Sequence, residues 1–256
     1  MRWYWLLCGC LMAATLVACG GKGPVVPPGT LDADTYLFQR ANEELKEENW
    51  LEARTYFQQI VDNYPGSALR PDAKLGVGDT YIGEDTPESL VLAANEFREF
   101  LQFYPTSTRA DYAQYKLAMS HYARMRAPER DQTETRDAVT QFEAFFERFP
   151  NSPLAPEVRP RAREARDRLT ESSYLVGLYY FRTRWYVGAI ARFREILADD
   201  PNYSRRDAVY YHLAESLART DKTAEAVPYF ERLLAEYQES EFLPLAQQRL
   251  QELKTQ

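Results

Sequence analysis

Apolar residues along this chain recur at three- and four-residue spacing from Leu31 almost to the C-terminus, and almost nowhere do they alternate with period two. That pattern predicts helices and no strand. Within it, one phrase is written five times: FQQIVDNYPGS from residue 57, FREFLQFYPTS from 97, FEAFFERFPNS from 142, FREILADDPNYS from 193 and FERLLAEYQES from 230. An alanine stands four residues before each phenylalanine, giving the pairs Ala53 and Phe57, Ala93 and Phe97, Ala138 and Phe142, Ala189 and Phe193, and Ala226 and Phe230. In the first four copies a proline follows eight residues later, at Pro65, Pro105, Pro150 and Pro201.

This Ala-x3-Phe-x7-Pro spacing matches the second helix of a tetratricopeptide repeat. The alanine is small where two helices cross, the phenylalanine one turn on fills the gap to the next unit, and the proline ends the helix. Ser67, Thr108 and Ser152, just past the prolines, suit capping of the following helices, with Pro153 at a permitted first-turn position. First helices agree less well: Gly177 and Tyr180, or Ala214, take the expected places, whereas the first unit has Ala41 but Glu44 in place of the tyrosine. The expected fold is all-α, a tetratricopeptide-repeat superhelix of about five helix pairs over residues 31–254.

Successive phenylalanines are 40, 45, 51 and 37 residues apart, all longer than the family's ~34. Extra segments therefore lie between or within units. RAPERDQTET, 126–135, reads as a loop inside the third unit, and SPLAPEVRPRAREARDRL, 152–169, as an added helical stretch leading into the fourth. Residues 31–125 hold the N-terminal repeats and 126–254 the C-terminal ones.

The segment before the repeats has a different grammar. Residues 1–18 combine Arg2 with an apolar run, Trp3 to Ala18, that is short for a spanning helix, and this reads as an export signal. Leu16-Val17-Ala18-Cys19-Gly20 resembles the bacterial lipobox, which implies that Cys19 becomes the lipidated N-terminus. Gly20 is not the aspartate of an inner-membrane retention signal, so the expected address is the outer membrane, lipid-anchored at the periplasmic face. Residues 20–30, GGKGPVVPPGT, form the rest of a flexible tether over 19–30. Cys8 and Cys10 leave with the signal, so no internal disulfide is available.

Removing residues 1–18 takes away only Arg2 as charge, leaving 30 basic against 38 acidic side chains. A net −8 surface disfavours nucleic acid and anionic headgroups, so membrane contact is expected through the lipid alone. Catalytic signals are missing as well. His121 and His212 stand 91 positions apart with no cysteine or carboxylate at metal-ligand spacing, and Gly76-Val77-Gly78 follows no strand as a phosphate loop requires. The chain is read as a non-enzyme without metal or cofactor beyond the covalent lipid.

What remains is surface. First-helix residues Tyr36, Arg40, Tyr81, Tyr112, Tyr115 and Tyr122 are candidates for a peptide groove, offering flat apolar contact with a hydrogen-bonding tip. Arg159, Arg161, Arg163, Arg166 and Arg168 crowd one stretch against only Glu164 and Asp167, a candidate partner interface continued by Tyr180, Arg182 and Arg184.

Lipobox, proline-bearing tether and five repeats together resemble the BamD family, lipoproteins of the outer-membrane β-barrel assembly machinery. The closest likeness lies in residues 130–197: Arg130-Asp131-Gln132, Asp137-Ala138, FPNS, and an arginine-rich helix continuing into a tyrosine-rich one. The resemblance implies a scaffold docked on the POTRA domains of a BamA-like subunit, beside other assembly lipoproteins, binding unfolded outer-membrane protein precursors for folding and insertion. Its C-terminal repeats would face that subunit and its N-terminal repeats would offer the groove. The alternative is another periplasmic repeat lipoprotein, coordinating envelope constriction or peptidoglycan synthesis.

Overall fold

The computed structural model describes residues 26–27 and 29–255; the signal segment, Cys19 and most of the tether lie outside the described residues. Among the described residues there are eleven helices and no strand. The first unit is α1 (Ala33–Lys46) with α2 (Trp50–Asn63), the second α3 (Arg70–Glu84) with α4 (Pro87–Phe103), and the third α5 (Ala110–Tyr122) with α6 (Thr133–Arg148). The fourth is α7 (Ala155–Arg182) with α8 (Tyr186–Asp199), the fifth α9 (Arg206–Ala218) with α10 (Thr223–Glu236), and α11 (Leu243–Lys254) follows. Each helix packs chiefly on its neighbours in sequence, which is the quasi-one-dimensional build of a tetratricopeptide-repeat superhelix.

The repeated phrase does what its residue types demand. All five alanines and all five phenylalanines are buried, and each phenylalanine contributes about 1.5–3 kcal/mol by leaving water. Where a first helix comes close, glycine makes the room. A Cβ at Gly76 would stand 2.6 Å from the Phe57 ring, at Gly78 2.7 Å from Phe97, and at Gly177 2.6 Å from Phe193. The Gly76-Val77-Gly78 run is thus a seat for two phenylalanines from different units. One apolar cluster forms per unit in the first three, and the fourth and fifth units share a single larger one that also takes Ala246, Leu250 and Leu253 of α11. Beyond the last phrase, which lacks its proline, the superhelix therefore continues by one helix.

Four intra-unit turns carry one residue in the left-handed region: Glu48, Asp85, Arg184 and Asp221. The third unit departs, with a connection over 123–132 and no such residue. The sequence placed this loop at 126–135; instead Thr133, Glu134 and Thr135 already belong to α6. The Gln132 side-chain amide donates to the Ala127 and Arg130 carbonyls at 2.8 and 3.0 Å, closing the loop, and acidic Glu134 suits the first helical turn.

Residues 152–169 are not a separate stretch. They merge with the tyrosine-rich segment into α7, one continuous 28-residue helix that packs on both α6 and α8. Pro160 lies inside it, as its sixth residue, and is exposed.

The expected caps are also displaced. Ser67, Ser107, Ser152 and Ser240 accept the backbone N–H groups of Leu69, Arg109, Leu154 and Phe242 at 3.0–3.2 Å, so they organise a turn before each helix. Ser107 plays this part rather than Thr108, and Pro153 precedes α7, whose first turn holds Pro156 instead. Three of these hydroxyls donate back to an aspartate in the unit's first helix: Ser67 to Asp34, Ser152 to Asp111 and Ser240 to Asp207, at 2.5–2.6 Å. In the fourth unit the Ser204 N–H donates to Asp167 at 3.0 Å. These bonds tie the end of each of these units to its beginning.

Candidate partner-binding surfaces

The candidate groove tyrosines sit on α1, α3 and α5, and they are more committed than free side chains would be. Tyr112 donates its hydroxyl to both Asp79 oxygens, at 2.8 and 2.9 Å, with Lys116 3.7 Å from the same carboxylate. Burial raises the Asp79 carboxyl above its ordinary range, and burial together with the Asp79 charge drives the Tyr112 hydroxyl far up. Tyr115 is only 7% exposed and donates to Glu157 of α7 at 2.8 Å; burial, then that bond, pushes it up to about 12. Tyr122 donates to Glu164, also of α7. Neighbouring first helices are thus laced by protonated phenols on carboxylates.

Tyr81 lies beneath the Arg54 guanidinium, 3.7 Å from its ring centre, while Arg54 donates to Thr80 and pairs with Glu84. Tyr36 and Tyr81 pack against the first unit's core, and Tyr81 and Tyr112 against the second's. Arg40 pairs with Glu43 and Glu44 on its own helix. Tyr36, Tyr81, Tyr112 and Tyr122 remain partly exposed, but Arg54, Arg109 and Arg161 lie over the Tyr81, Tyr112 and Tyr122 rings, and three of the predicted hydrogen-bonding tips are used within the protein. Further along, an open groove of about 540 Å³ lies between loop 123–132 and α7, lined by Ala127, Pro128, Glu164, Arg168, Glu171 and Tyr203.

The arginine-rich stretch of α7 is distributed around the helix. Arg163 donates two hydrogen bonds to Asp200 and one to Asp167, Arg166 pairs with Glu143, and Arg168 pairs with Glu164 at 3.3 Å. Arg159 and Arg161 lie over the Phe146 and Tyr122 rings at 5.4 and 5.7 Å. Asp200 is 4% exposed and also accepts from Thr170 at 2.8 Å. Burial opposes its charge, yet bonds from Arg163 and Thr170 hold its carboxyl below the ordinary range. Much of the positive charge seen in the sequence is therefore spent in joining α7 to α6 and α8.

At the other end of α7 the surface is open. Val176, Tyr179, Trp185 and Val187 are exposed at the α7–α8 corner, the last three by 63, 56 and 67%. Tyr180 packs edge-on against Trp185 at 4.6 Å, and a Cβ at Gly188 would lie 2.7 Å from the indole, so the tryptophan is seated rather than loose. Arg182 and Arg184 are exposed here and form no ion pair among the described residues. The sequence pointed to Tyr180, Arg182 and Arg184 but missed Tyr179, Trp185 and Val187. A signal existed: Val187 stands two residues before its repeat alanine, where Leu51 and Val91 are also exposed.

A second group was missed altogether. His121 near the end of α5 meets Glu134 and Asp137 of α6, its Nδ1 lying 2.8 Å from Glu134 Oε2 and 3.9 Å from Asp137 Oδ2. Arg124 pairs with the other Glu134 oxygen. Burial works against the Glu134 charge, but bonds from Arg124 and His121 keep its carboxyl below the ordinary range. His212, by contrast, is buried among Tyr174, Phe181, Phe193 and Phe242, and burial lowers its pKa.

No helix among the described residues is long and apolar enough to cross a membrane. Residues 32–224 match the YfiO family profile, described as an outer membrane lipoprotein. Over 219 residues the chain is 24% identical to the outer membrane protein assembly factor BamD of Caulobacter vibrioides, covering 84% of this chain and 70% of that one. It is 25% identical over 209 residues to the factor of that name from Vibrio cholerae, covering 78% and 84%. The Neisseria meningitidis serogroup B factor is 24% identical over 209 residues, covering 75% of each chain.

Proposed function

Since the chain belongs to the YfiO family of outer membrane lipoproteins, we propose that it is an outer membrane protein assembly factor. It acts as a non-enzymatic scaffold, anchored through lipid on Cys19 to the periplasmic face of the outer membrane. The observation that carries this reading is the family match, which runs from the start of α1 into α10.

Within that role, the α7–α8 corner docks on the POTRA domains of a BamA-like subunit. Seated aromatic and branched side chains flanked by exposed arginines have the make-up of an interface core with a polar rim. The partly exposed side chains of Tyr36, Tyr81, Tyr112 and Tyr122 give unfolded outer-membrane proteins a surface for contact, with selectivity not set by the engaged hydroxyls. Co-purification from detergent-extracted membranes tests the reading: recovery of a BamA-like subunit is expected. Isolation without it, under conditions that preserve the complex, would favour a role in envelope constriction or peptidoglycan synthesis instead. Cys19→Ser is expected to leave a folded chain that is soluble or unprocessed; unchanged processing and membrane retention would defeat the anchor.

A further inference from the structure

We propose that His121, Glu134 and Asp137 bind one divalent transition-metal ion, zinc being the ion that this donor set fits. One ligand atom from each residue lies within 4.8 Å of the other two, and two of the separations, 2.8 and 3.9 Å, involve His121 Nδ1. A tetrahedral zinc with bonds of about 2.0–2.2 Å holds its ligand atoms roughly 3.3–3.6 Å apart. The observed separations bracket that spacing, so small side-chain rotations complete the site.

Each residue is placed for the task by its helix. Glu134 and Asp137 stand three positions apart on α6 and share a face. His121 is almost fully buried, with Nδ1 turned towards both carboxylates. Arg124 holds the far oxygen of Glu134, the position of an outer partner that orients a ligating carboxylate. The Asp137 side chain forms no hydrogen bond among the described residues, and His121 is its one neighbour there at ion-pair distance. Its carboxylate is thus available to a cation. An imidazole beside two carboxylates favours a transition ion over magnesium or calcium, which prefer all-oxygen shells. Three protein ligands leave the fourth position to water.

The location supplies an independent reason. The other four intra-unit connections are tight turns with a left-handed residue, whereas the third unit spans 123–132 without one. His121 and Glu134 lie at the two ends of that connection. An ion here clasps α5 to α6 at the neck of the loop, doing by coordination what the backbone turn does elsewhere.

The test is titration of ZnCl2 into the metal-free mature chain, followed by calorimetry and by the thermal midpoint, with MgCl2 in parallel. His212 is buried and Cys19 is the sole cysteine after signal removal, so background zinc sites are few. His121→Ala removes a buried ring and risks misfolding; Asp137→Asn is the deciding variant because that carboxylate is half-exposed and accepts no hydrogen bond among the described residues. One zinc per chain is expected, with a raised midpoint that magnesium does not reproduce. Asp137→Asn is expected to keep the metal-free midpoint and bind zinc about tenfold more weakly or worse. Absence of one-to-one saturation, zinc binding of undiminished strength in Asp137→Asn, or an equal response to magnesium each overturns the site.

Discussion

Replacing Asp200 by asparagine asks whether the long helix α7 is held to the fourth unit by charge or by packing alone. The carboxylate accepts from two Arg163 nitrogens at 2.9 and 2.5 Å, from Thr170 at 2.8 Å and from the Asn202 N–H at 3.3 Å. Asparagine is nearly isosteric but keeps one acceptor oxygen and turns an amide donor towards a guanidinium. Breaking a buried pair costs about 3–5 kcal/mol when the surviving charge has no other partner. Here the Arg163 side chain is 33% exposed and still has Asp167 at 3.0 Å, so water and the second carboxylate recover part of that. The expected loss is about 2–3 kcal/mol at neutral pH. Because the Asp200 carboxyl is depressed in the folded chain, its contribution is complete above the unfolded value, near pH ~3.9, and fades as pH falls through the folded value. Urea unfolding followed by circular dichroism at neutral and acid pH measures both, and amide exchange reports whether α7 and α8 open first. A neutral-pH shift below about 0.5 kcal/mol, or a gap between wild type and variant that persists unchanged in acid, would refute the argument.

Two further substitutions probe other links. Gly177→Ala puts a Cβ 2.6 Å from the buried Phe193 ring; overpacking of about 1–3 kcal/mol outweighs the helix-propensity gain, which is at most ~1 kcal/mol. The chain should unfold at lower denaturant, while Gly66→Ala, with nothing within 4 Å, should stay within about 0.5 kcal/mol of wild type; equal behaviour of the pair counts against the seating of Phe193. Val187→Asp, at an exposed corner, should likewise leave stability within about 0.5 kcal/mol but lower recovery of the BamA-like subunit in the co-purification. Full recovery moves the docking surface elsewhere.

The division between what was readable and what was not follows the range of the interactions. Burial of Phe57, Phe97, Phe142, Phe193 and Phe230 was legible because a helical repeat writes its packing at fixed local spacing. The loop boundary at Thr133 and the serine turns at Ser107 and Ser152 were off by one to a few residues, since they depend on which backbone N–H group a side chain reaches. The tyrosine tips were misjudged for a related reason: their carboxylate partners lie on a neighbouring first helix, 33 to 42 residues away.

By itself, then, the sequence determined the all-α repeat architecture and the likeness to the family, both of which rest on patterns within a few turns of chain. Only the tertiary structure decided how charge is used. It sent Arg163 to a buried aspartate, left Arg182 and Arg184 beside Trp185 without an ion pair among the described residues, and brought His121 to Glu134 and Asp137 across a loop. The physical reason is that apolar burial needs only the right face of a helix, whereas a charge or a ligand atom is defined by a partner within a few ångströms, and that partner is chosen by the packing of separate helices.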